Sequence, residues 1–337
     1  MRRRPEGIAE KGVCPAGQPP HHAPSVSLPT ISVVLPTYNC SPLMERHFDA
    51  MAQWLDLANE VIVVDSRSTD GTLELIRERL RHPNLRIIER DRGLYASWNE
   101  GIAATTGDWV YISTAGDTIE REQLTRLRHW GEATSADVVI SPSDYVDDAG
   151  LPAPKARNRP RIYAEFAAEG DVLIAPPAVR HFAFRSTGTQ ALLGSLASDL
   201  FRGDFLRARP FPEDYGTHGD TAWLLRHSHE INLCVLQTIG STFCVHEPRS
   251  CESKEDLRGV LDRMHGREIR AGGLTPLLAS SIQLRAQMSQ RSNAWSGWTT
   301  TLKWAAANLR YLRARYRHGK LEGEERRELG RLISRIN

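Results

Sequence analysis

The chain has 337 residues, 40% of them hydrophobic and 25% charged, with 43 Lys+Arg against 41 Asp+Glu for a formal net charge of +2. No apolar run approaches the ~18 residues of a membrane span, and the arginines after Met1 lead into no apolar stretch, so integral-membrane and secreted classes are set aside for a globular, cytoplasmic-type protein. The total conceals a segregation: residues 1–30 hold four basic and two acidic side chains, residues 303–337 hold ten and four, and the rest hold 29 and 35, an acidic body between basic ends.

Residues 1–30 carry six of the 19 prolines and almost no apolar pattern, and are expected to form a disordered leader. Order is expected from Ile31. Residues 31–35 read as a short buried strand stopped by Pro36. Ser41 then reads as an N-cap with Pro42 at the first helical position, and Met44, Phe48, Met51 and Leu55 follow at helical spacing. Residues 61–64, ending at Asp65, are a second strand, and 68–72 open a helix carrying Leu73, Ile76 and Leu80. Further strands are predicted at 85–88, 109–112 and 138–140, and a helix at 96–104. Strands separated by single helices imply right-handed crossovers and a mainly parallel, Rossmann-like α/β sheet flanked by helices, with ligands beyond the strand carboxyl ends.

Residues 147–180, rich in Pro, Ala and Arg and without a clear period, are expected to be a long connection. Order returns over 192–205. A helix is predicted at 221–227 and strands at 231–236 and 241–245. Residues 302–317 read as a helix with Leu302, Ala306 and Leu309 on one side and Arg310, Arg313 and Arg317 on the other, preceded or opened by Trp295, Trp298 and Trp304. That combination suits an anionic membrane surface, although a helix packed on the main domain reads the same way. The organisation is a leader (1–30), a main domain (31–250) and a helical basic C-terminal extension (251–337).

Polar residues collect where the predicted strands end: Thr37, Tyr38 and Asn39 after the first, Asp65 at the second, Arg92 and Gly93 after the third, and 114–117 after the fourth. An acid at a strand end accepts from a base N–H or a ribose hydroxyl, and helix-start amides favour phosphate. Each residue alone is an ordinary turn or cap residue; the set points to a nucleotide. Two nucleotide-binding classes fail on specifics. The first strand is followed by Pro36-Thr37-Tyr38-Asn39-Cys40 instead of G-x-G-x-x-G, and no G-x-x-x-x-G-K-[ST] loop is present. Five scattered cysteines without a C-x-x-C pair fit a reduced setting and argue against a zinc ribbon.

Three blocks carry a family resemblance. I-S-V-V-L-P-T-Y-N at 31–39, V-I-V-V-D-S-R-S-T-D-G-T at 61–72 and R-G-L-Y-A-S-W-N-E-G-I at 92–102, followed by Thr106-Gly107-Asp108, resemble the family 2 glycosyltransferases in order and context. The resemblance is strong over 31–120 and weaker to about 250. It implies a GT-A fold and inverting transfer of a sugar from a nucleotide sugar, usually a UDP-sugar. The acceptor would be a glycan or lipid-linked hydroxyl in surface-polysaccharide synthesis at the cytoplasmic membrane face, with no nucleic acid partner. It further implies that Pro36, Thr37, Tyr38 and Asn39 border the nucleoside, that Asp65 holds uracil or ribose, and that Arg92, Gly93 and Asn99 line the diphosphate side. Within F-P-E-D-Y-G-T-H-G-D at 211–220, Asp220 resembles the acid of the family's E-D motif. It would be the general base that takes the acceptor hydroxyl proton, though an Asp at a helix start also reads as an N-cap.

The chain departs from the family at the metal site. The family ends its fourth strand with D-x-D, because a divalent cation bridging the leaving diphosphate needs hard oxygen ligands. Here the stretch is Ser113-Thr114-Ala115-Gly116-Asp117, so the usual acids fall on Thr114 and Gly116. The resemblance still implies Mg²⁺ or Mn²⁺, held by Asp117 and by His246, which resembles a late histidine ligand of some GT-A enzymes. The departure keeps an alternative open: a catalytically impaired nucleotide-sugar-binding or scaffolding member of a glycan-assembly complex. A sugar-phosphate nucleotidyltransferase is disfavoured, since its Gly-rich, Arg-containing N-terminal loop is absent. His181, Arg185 and Arg202 are candidates for meeting an acceptor phosphate.

Overall fold

The computed structural model describes residues 28–153, 159–185 and 191–245, with Met264, Arg267 and Glu268. In chain order the elements are β1 (Ile31–Thr37), α1 (Ser41–Ala52), β2 (Glu60–Asp65), α2 (Thr72–Arg79), β3 (Leu85–Glu89), α3 (Leu94–Ala103), β4 (Trp109–Ile112), β5 (Thr118–Ile119), α4 (Arg121–Thr134), β6 (Val138–Ile140) and β7 (Asp144–Val146). There follow α5 (Arg161–Glu165), β8 (Val172–Ile174), α6 (Pro176–Arg185), β9 (Asp199–Arg202), α7 (Gly203–Arg207), α8 (Gly219–His227), β10 (Leu233–Val235) and β11 (Ser241–Cys244).

Eight strands form one sheet in the order β3-β2-β1-β4-β9-β6-β10-β8, and β5-β11-β7 form a smaller one. β1 pairs in parallel with β2 and β4, and β2 with β3. β9 runs antiparallel between β4 and β6, β10 is parallel to β6, and β8 is the antiparallel edge. The sheet is therefore mainly parallel, as expected.

Both faces of the sheet are covered. Ile31, Val33 and Leu35 of β1 pack with Met44, Phe48 and Met51 of α1 and Leu124 of α4, whereas Val34 joins Trp98 and Ile102 of α3 and Trp223 of α8. A strand buried on both faces has no polar side to alternate with, which is why β1 and β2 read as unbroken apolar runs. A Cβ on Gly101 would lie 2.5 Å from Val34 and 2.9 Å from Val64, so α3 sits closer to the sheet than any other residue there allows.

Thr106-Gly107-Asp108 turns out to hold the opposite edge of the sheet from the strand carboxyl ends. Thr106 N donates to Glu60 Oε1 (2.6 Å), Gly107 N to Ser32 Oγ (2.8 Å), and Thr30 N to Asp108 Oδ2 (2.8 Å). Order thus includes Thr30, one residue before the expected start.

Other boundaries also move. α3 starts at Leu94, and Ser41 is the first residue of α1, with Asp70 Oδ2 accepting from its amide (3.0 Å) across the β2–α2 turn. The expected connection at 147–180 holds α5, β8 and part of α6. A three-residue edge strand is too short to show a period of two, which hid β8. Met264, beyond the expected end of the main domain, is fully buried in the α3-side core. The expected leader, His246 and the helix at 302–317 lie outside the described residues, apart from residues 28–30. Among the described residues, no helix is long and apolar enough to cross a membrane.

Candidate active site

The ends of β1 and β2 are locked together by Asp65. Its fully buried carboxylate accepts Thr37 Oγ1 (2.8 Å) and Ser68 Oγ (2.7 Å) on Oδ2, and Ser68 N (2.8 Å) on Oδ1. A carboxylate has about four lone-pair sites, so these donors fix its orientation and leave roughly one site over. Pro36, half-buried, is paired with Val64 one step before. Asn39, in the left-handed region at φ 43, receives Thr69 N on Oδ1 (2.8 Å) and donates its own amide to Ser68 Oγ (3.0 Å), which ties the loops after β1 and β2. Tyr38 is 37% exposed, and the Arg92 guanidinium lies over its ring at 4.4 Å. Gly93 precedes α3, and its carbonyl accepts from Ser97 N and Ser97 Oγ, both at 2.8 Å. Pro36, Thr37, Tyr38, Asn39, Asp65, Arg92 and Gly93 are thereby gathered on one rim beside the α3 N-terminus.

The α3 helix also reaches Asp220. Tyr95 is buried, with Oη 3.0 Å from the Thr217 carbonyl and 3.2 Å from Asp220 Oδ1, so its one proton serves both. A Cβ on Gly219 would fall 2.5 Å from the Tyr95 ring; glycine lets the ring lie on the first turn of α8. Asp220 is the second residue of α8, and His218 occupies the cap position. Thr221 N donates to Oδ1 at 2.6 Å, while among the described residues no hydrogen bond reaches Oδ2. Burial raises the carboxyl above its ordinary range, opposed by the Thr221 amide and the Tyr95 hydroxyl.

Asn99 faces a neighbouring loop. Its Oδ1 accepts Phe211 N (2.8 Å), and its Nδ2 donates to Phe211 O (2.9 Å) and Glu213 Oε1 (3.0 Å). Both ends of the amide clamp the segment leading to Asp220 onto α3, which leaves it engaged with protein groups where a diphosphate contact was expected. The rings of Tyr95 and Phe211 stack beside it at 5.7 Å, and Trp98 meets Phe211 edge-on at 5.5 Å.

A second acid escaped the sequence reading. Asp199 opens β9 opposite Ile140 and is fully buried; Ser198 Oγ donates to Oδ1 at 3.1 Å, and Oδ2 has no partner among the described residues. Burial holds it well above the usual carboxylate range, and the charge of Asp220 pushes the same way. Its one signal in the sequence is an acid at the start of an apolar run.

The loop after β4 is held from α1. His47 is buried and neutral, its pKa pushed down to about 4 by desolvation. Its Nδ1 lies 2.9 Å from the Asp117 carbonyl, which only accepts, so Nδ1 carries the proton and Nε2 receives Ser113 Oγ (3.1 Å). The neighbouring Arg46 donates Nη2 to the Gly116 carbonyl (2.9 Å) and Cys244 Sγ (3.2 Å), and Nη1 to the Asp147 carbonyl (3.3 Å).

The expected metal ligand does not fit a cation. Asp117 is 4% exposed, with Oδ2 receiving Ser195 Oγ (2.6 Å) and Oδ1 receiving Cys244 N (2.7 Å), so both oxygens already face donors. Among the described residues no three His, Cys, Asp or Glu side chains converge on a possible metal position, and His246 lies outside them. The placement of Arg202 also corrects an expectation. It pairs with Trp109 at the amino end of β4, donates to the Ala136 carbonyl (2.5 Å) and lies 3.5 Å from Asp137, at the sheet edge away from the rim. The side chains of His181 and Arg185 lie outside what is described.

Residues 32–189 match the family model described as Glycosyl transferase family 2. The succinoglycan biosynthesis protein ExoO of Rhizobium meliloti (strain 1021) is 28% identical over 121 residues, 35% of this chain and 34% of that protein. A PGL/p-HBAD biosynthesis glycosyltransferase of Mycobacterium bovis (strain BCG / Pasteur 1173P2) is 31% identical over 121 residues, 34% of this chain and 46% of that protein. The chain thus spans less than half the length of these curated relatives. Among solved structures, S. aureus TarS 1-349 in complex with UDP-GlcNAc superposes with a TM-score of 0.54 at 17% identity, covering 75% of this chain and 69% of that one, a likeness of fold.

Proposed function

We propose, from the premise that this chain is a family 2 glycosyltransferase of GT-A fold, that it transfers a sugar from a UDP-sugar to a hydroxyl of a glycan or lipid-linked acceptor, with inversion, in surface-polysaccharide synthesis. The observation that carries this reading is the division of labour within Asp220: Oδ1 is fixed by protein donors, and Oδ2 receives none from the described residues. The biosynthetic roles in the names of the two curated relatives support the acceptor class.

In this reading the nucleoside sits at the Thr37–Asp65 corner. Tyr38 with the Arg92 guanidinium offers a flat surface for the base, and the remaining lone pair of Asp65 accepts a base N–H or ribose hydroxyl. The diphosphate faces the first-turn amides of α3, which lack partners within the helix, and Arg92 adds positive charge. The acceptor hydroxyl lies against Asp220 Oδ2. As its oxygen bonds to the anomeric carbon, the bond from that carbon to the diphosphate oxygen breaks on the opposite side, Oδ2 takes the hydroxyl proton, and the configuration inverts. Asp65, Thr37, Tyr38, Arg92 and Gly93 bind; Asp220 is catalytic; Asn99 and Tyr95 position it.

Donor turnover by the full chain across UDP-, GDP- and dTDP-sugars, with Asp220→Asn alongside, tests the reading. Turnover of a UDP-sugar that is lost in the variant is the expected result. Nucleotide binding without turnover of any donor would favour the non-catalytic scaffolding alternative.

A further inference from the structure

We infer that the guanidinium of Arg46 takes the place of a divalent cation at the loop after β4, so that this chain binds its nucleoside diphosphate independently of Mg²⁺ and Mn²⁺. The inference rests on the nucleotide-sugar reading above and deepens it.

Arg46 reaches from α1 to the backbone of Gly116, one of the two positions where the family pattern places an acid, at 2.9 Å. Two further acceptors, the Asp147 carbonyl and Cys244 Sγ, complete a cradle drawn from three separate elements. Gly150 closes it: a Cβ there would sit 2.6 Å from Nη1, and its φ of 80 excludes most other residues. Its acceptors are two carbonyls and a sulfur, all uncharged. Nε is buried without a partner among the described residues, so the positive charge is held there without a paired carboxylate.

Charge balance leads to the same place. The two carboxylates that a divalent cation would offset at the D-x-D position are gone here, and Arg46 brings a positive charge to the same loop, where the carboxylates of Asp117 and Asp148 reach the amide and the sulfur of Cys244. A divalent ion added beside the guanidinium would meet like charge, and both oxygens of the buried Asp117 are already turned to Ser195 Oγ and Cys244 N. The loop that a cation would otherwise organise is fixed instead by Arg46 on Gly116 and by His47 on Ser113 and Asp117. Arg46 is a positioning residue. It holds the loop and contributes a fixed positive potential where the diphosphate would lie.

Calorimetric titration of the full chain with UDP and with uridine, in EDTA and in excess Mn²⁺, is the test. UDP affinity is expected to be the same in both media within about threefold. Arg46→Gln should weaken UDP about tenfold or more in either medium and leave uridine unchanged, and Arg46→Lys, which keeps the charge, should recover part of the loss. Tightening of UDP by tenfold or more on adding Mn²⁺ to the unaltered chain overturns the inference without recourse to any variant. Equal weakening of UDP and uridine in Arg46→Gln overturns it as well, since a merely structural residue behaves that way. If no nucleoside diphosphate binds under any condition, the nucleotide-sugar reading fails and takes this inference with it; Mn²⁺-dependent binding removes the inference alone.

Discussion

Because Oδ1 of Asp220 is occupied by the Thr221 amide and the Tyr95 hydroxyl, Asp220→Asn retains an acceptor for both while removing the carboxylate proposed to receive the acceptor proton. The variant should lose about 10²–10⁴-fold in kcat with UDP affinity unchanged, which steady-state kinetics beside calorimetry will show. Burial raises the Asp220 carboxyl, so its ionised form disappears at a higher pH than for an ordinary carboxylate near about 4. The acid limb of kcat should accordingly lie above that value. It should move further up in Tyr95→Phe, which removes a donor to the ionised form; a limb that moves down would refute the arrangement. Asp199 has the same sign and a different readout. Its proton is kept in the folded state at a pH where the unfolded chain has released it, so its contribution to stability is full below about pH 4 and is lost as pH rises through the folded value. In Asp199→Asn that decline, at most about 1.4 kcal/mol per pH unit, should vanish from urea unfolding measured across about pH 5 to 8. Parallel curves for the two proteins would show that Asp199 is ionised throughout. Asp220 drew notice in the sequence through its place in a family pattern. Asp199 was not, since an acid opening a four-residue strand looks like any turn residue until the strand is found inside a sheet.

Along α3, three polar or aromatic residues spaced two apart serve three neighbours. Ser97 meets Ser66 on the β2 loop, Tyr95 meets Asp220, and Asn99 holds the backbone of Phe211. The helix therefore joins the Asp65 side of the rim to the side bearing Asp220. Asn99→Ala frees the 211–213 segment and should cost about 1–3 kcal/mol, lowering kcat while the Kd for UDP stays put. A rise in Kd at constant kcat would place Asn99 on the diphosphate instead. Gly219→Ala drives a methyl into the Tyr95 ring and the Pro212 carbonyl, and should destabilise by about 1–3 kcal/mol in thermal unfolding. The helix and its apolar stripe were readable from spacing, whereas the task of Asn99 was not: periodicity says which face a residue is on, not whether its amide meets a ligand or a loop. The same limit explains α1, where Arg46 and His47 look like ordinary residues of an amphipathic helix until Gly116 and Asp117 are seen against them.

At the scale of the molecule, the alternation of strands with single helices from β1 to β4 announced a parallel sheet, and the order beyond β4 was unreadable because β9 enters from far along the chain. The charge segregation belongs to this scale too. Residues 303–337 carry ten basic and four acidic side chains, and that segment is expected to draw the protein to anionic vesicles in a salt-sensitive way. Truncation after Ser292 keeps Met264 and Glu268 and should abolish flotation with such vesicles; undiminished binding would assign the basic segment to another role.

The placement of β9 has a consequence for how the protein is made. Its four residues hydrogen-bond to β4 on one side and β6 on the other, and they lie beyond residue 189, where the family match stops. During synthesis, then, β4 and β6 must each wait with an open edge until residue 202 has emerged, and both edges can recruit foreign strands in the interval. A fragment trimmed to the matched stretch would never leave that state: it should self-associate on a sizing column, while a chain retaining β9 can close its own sheet.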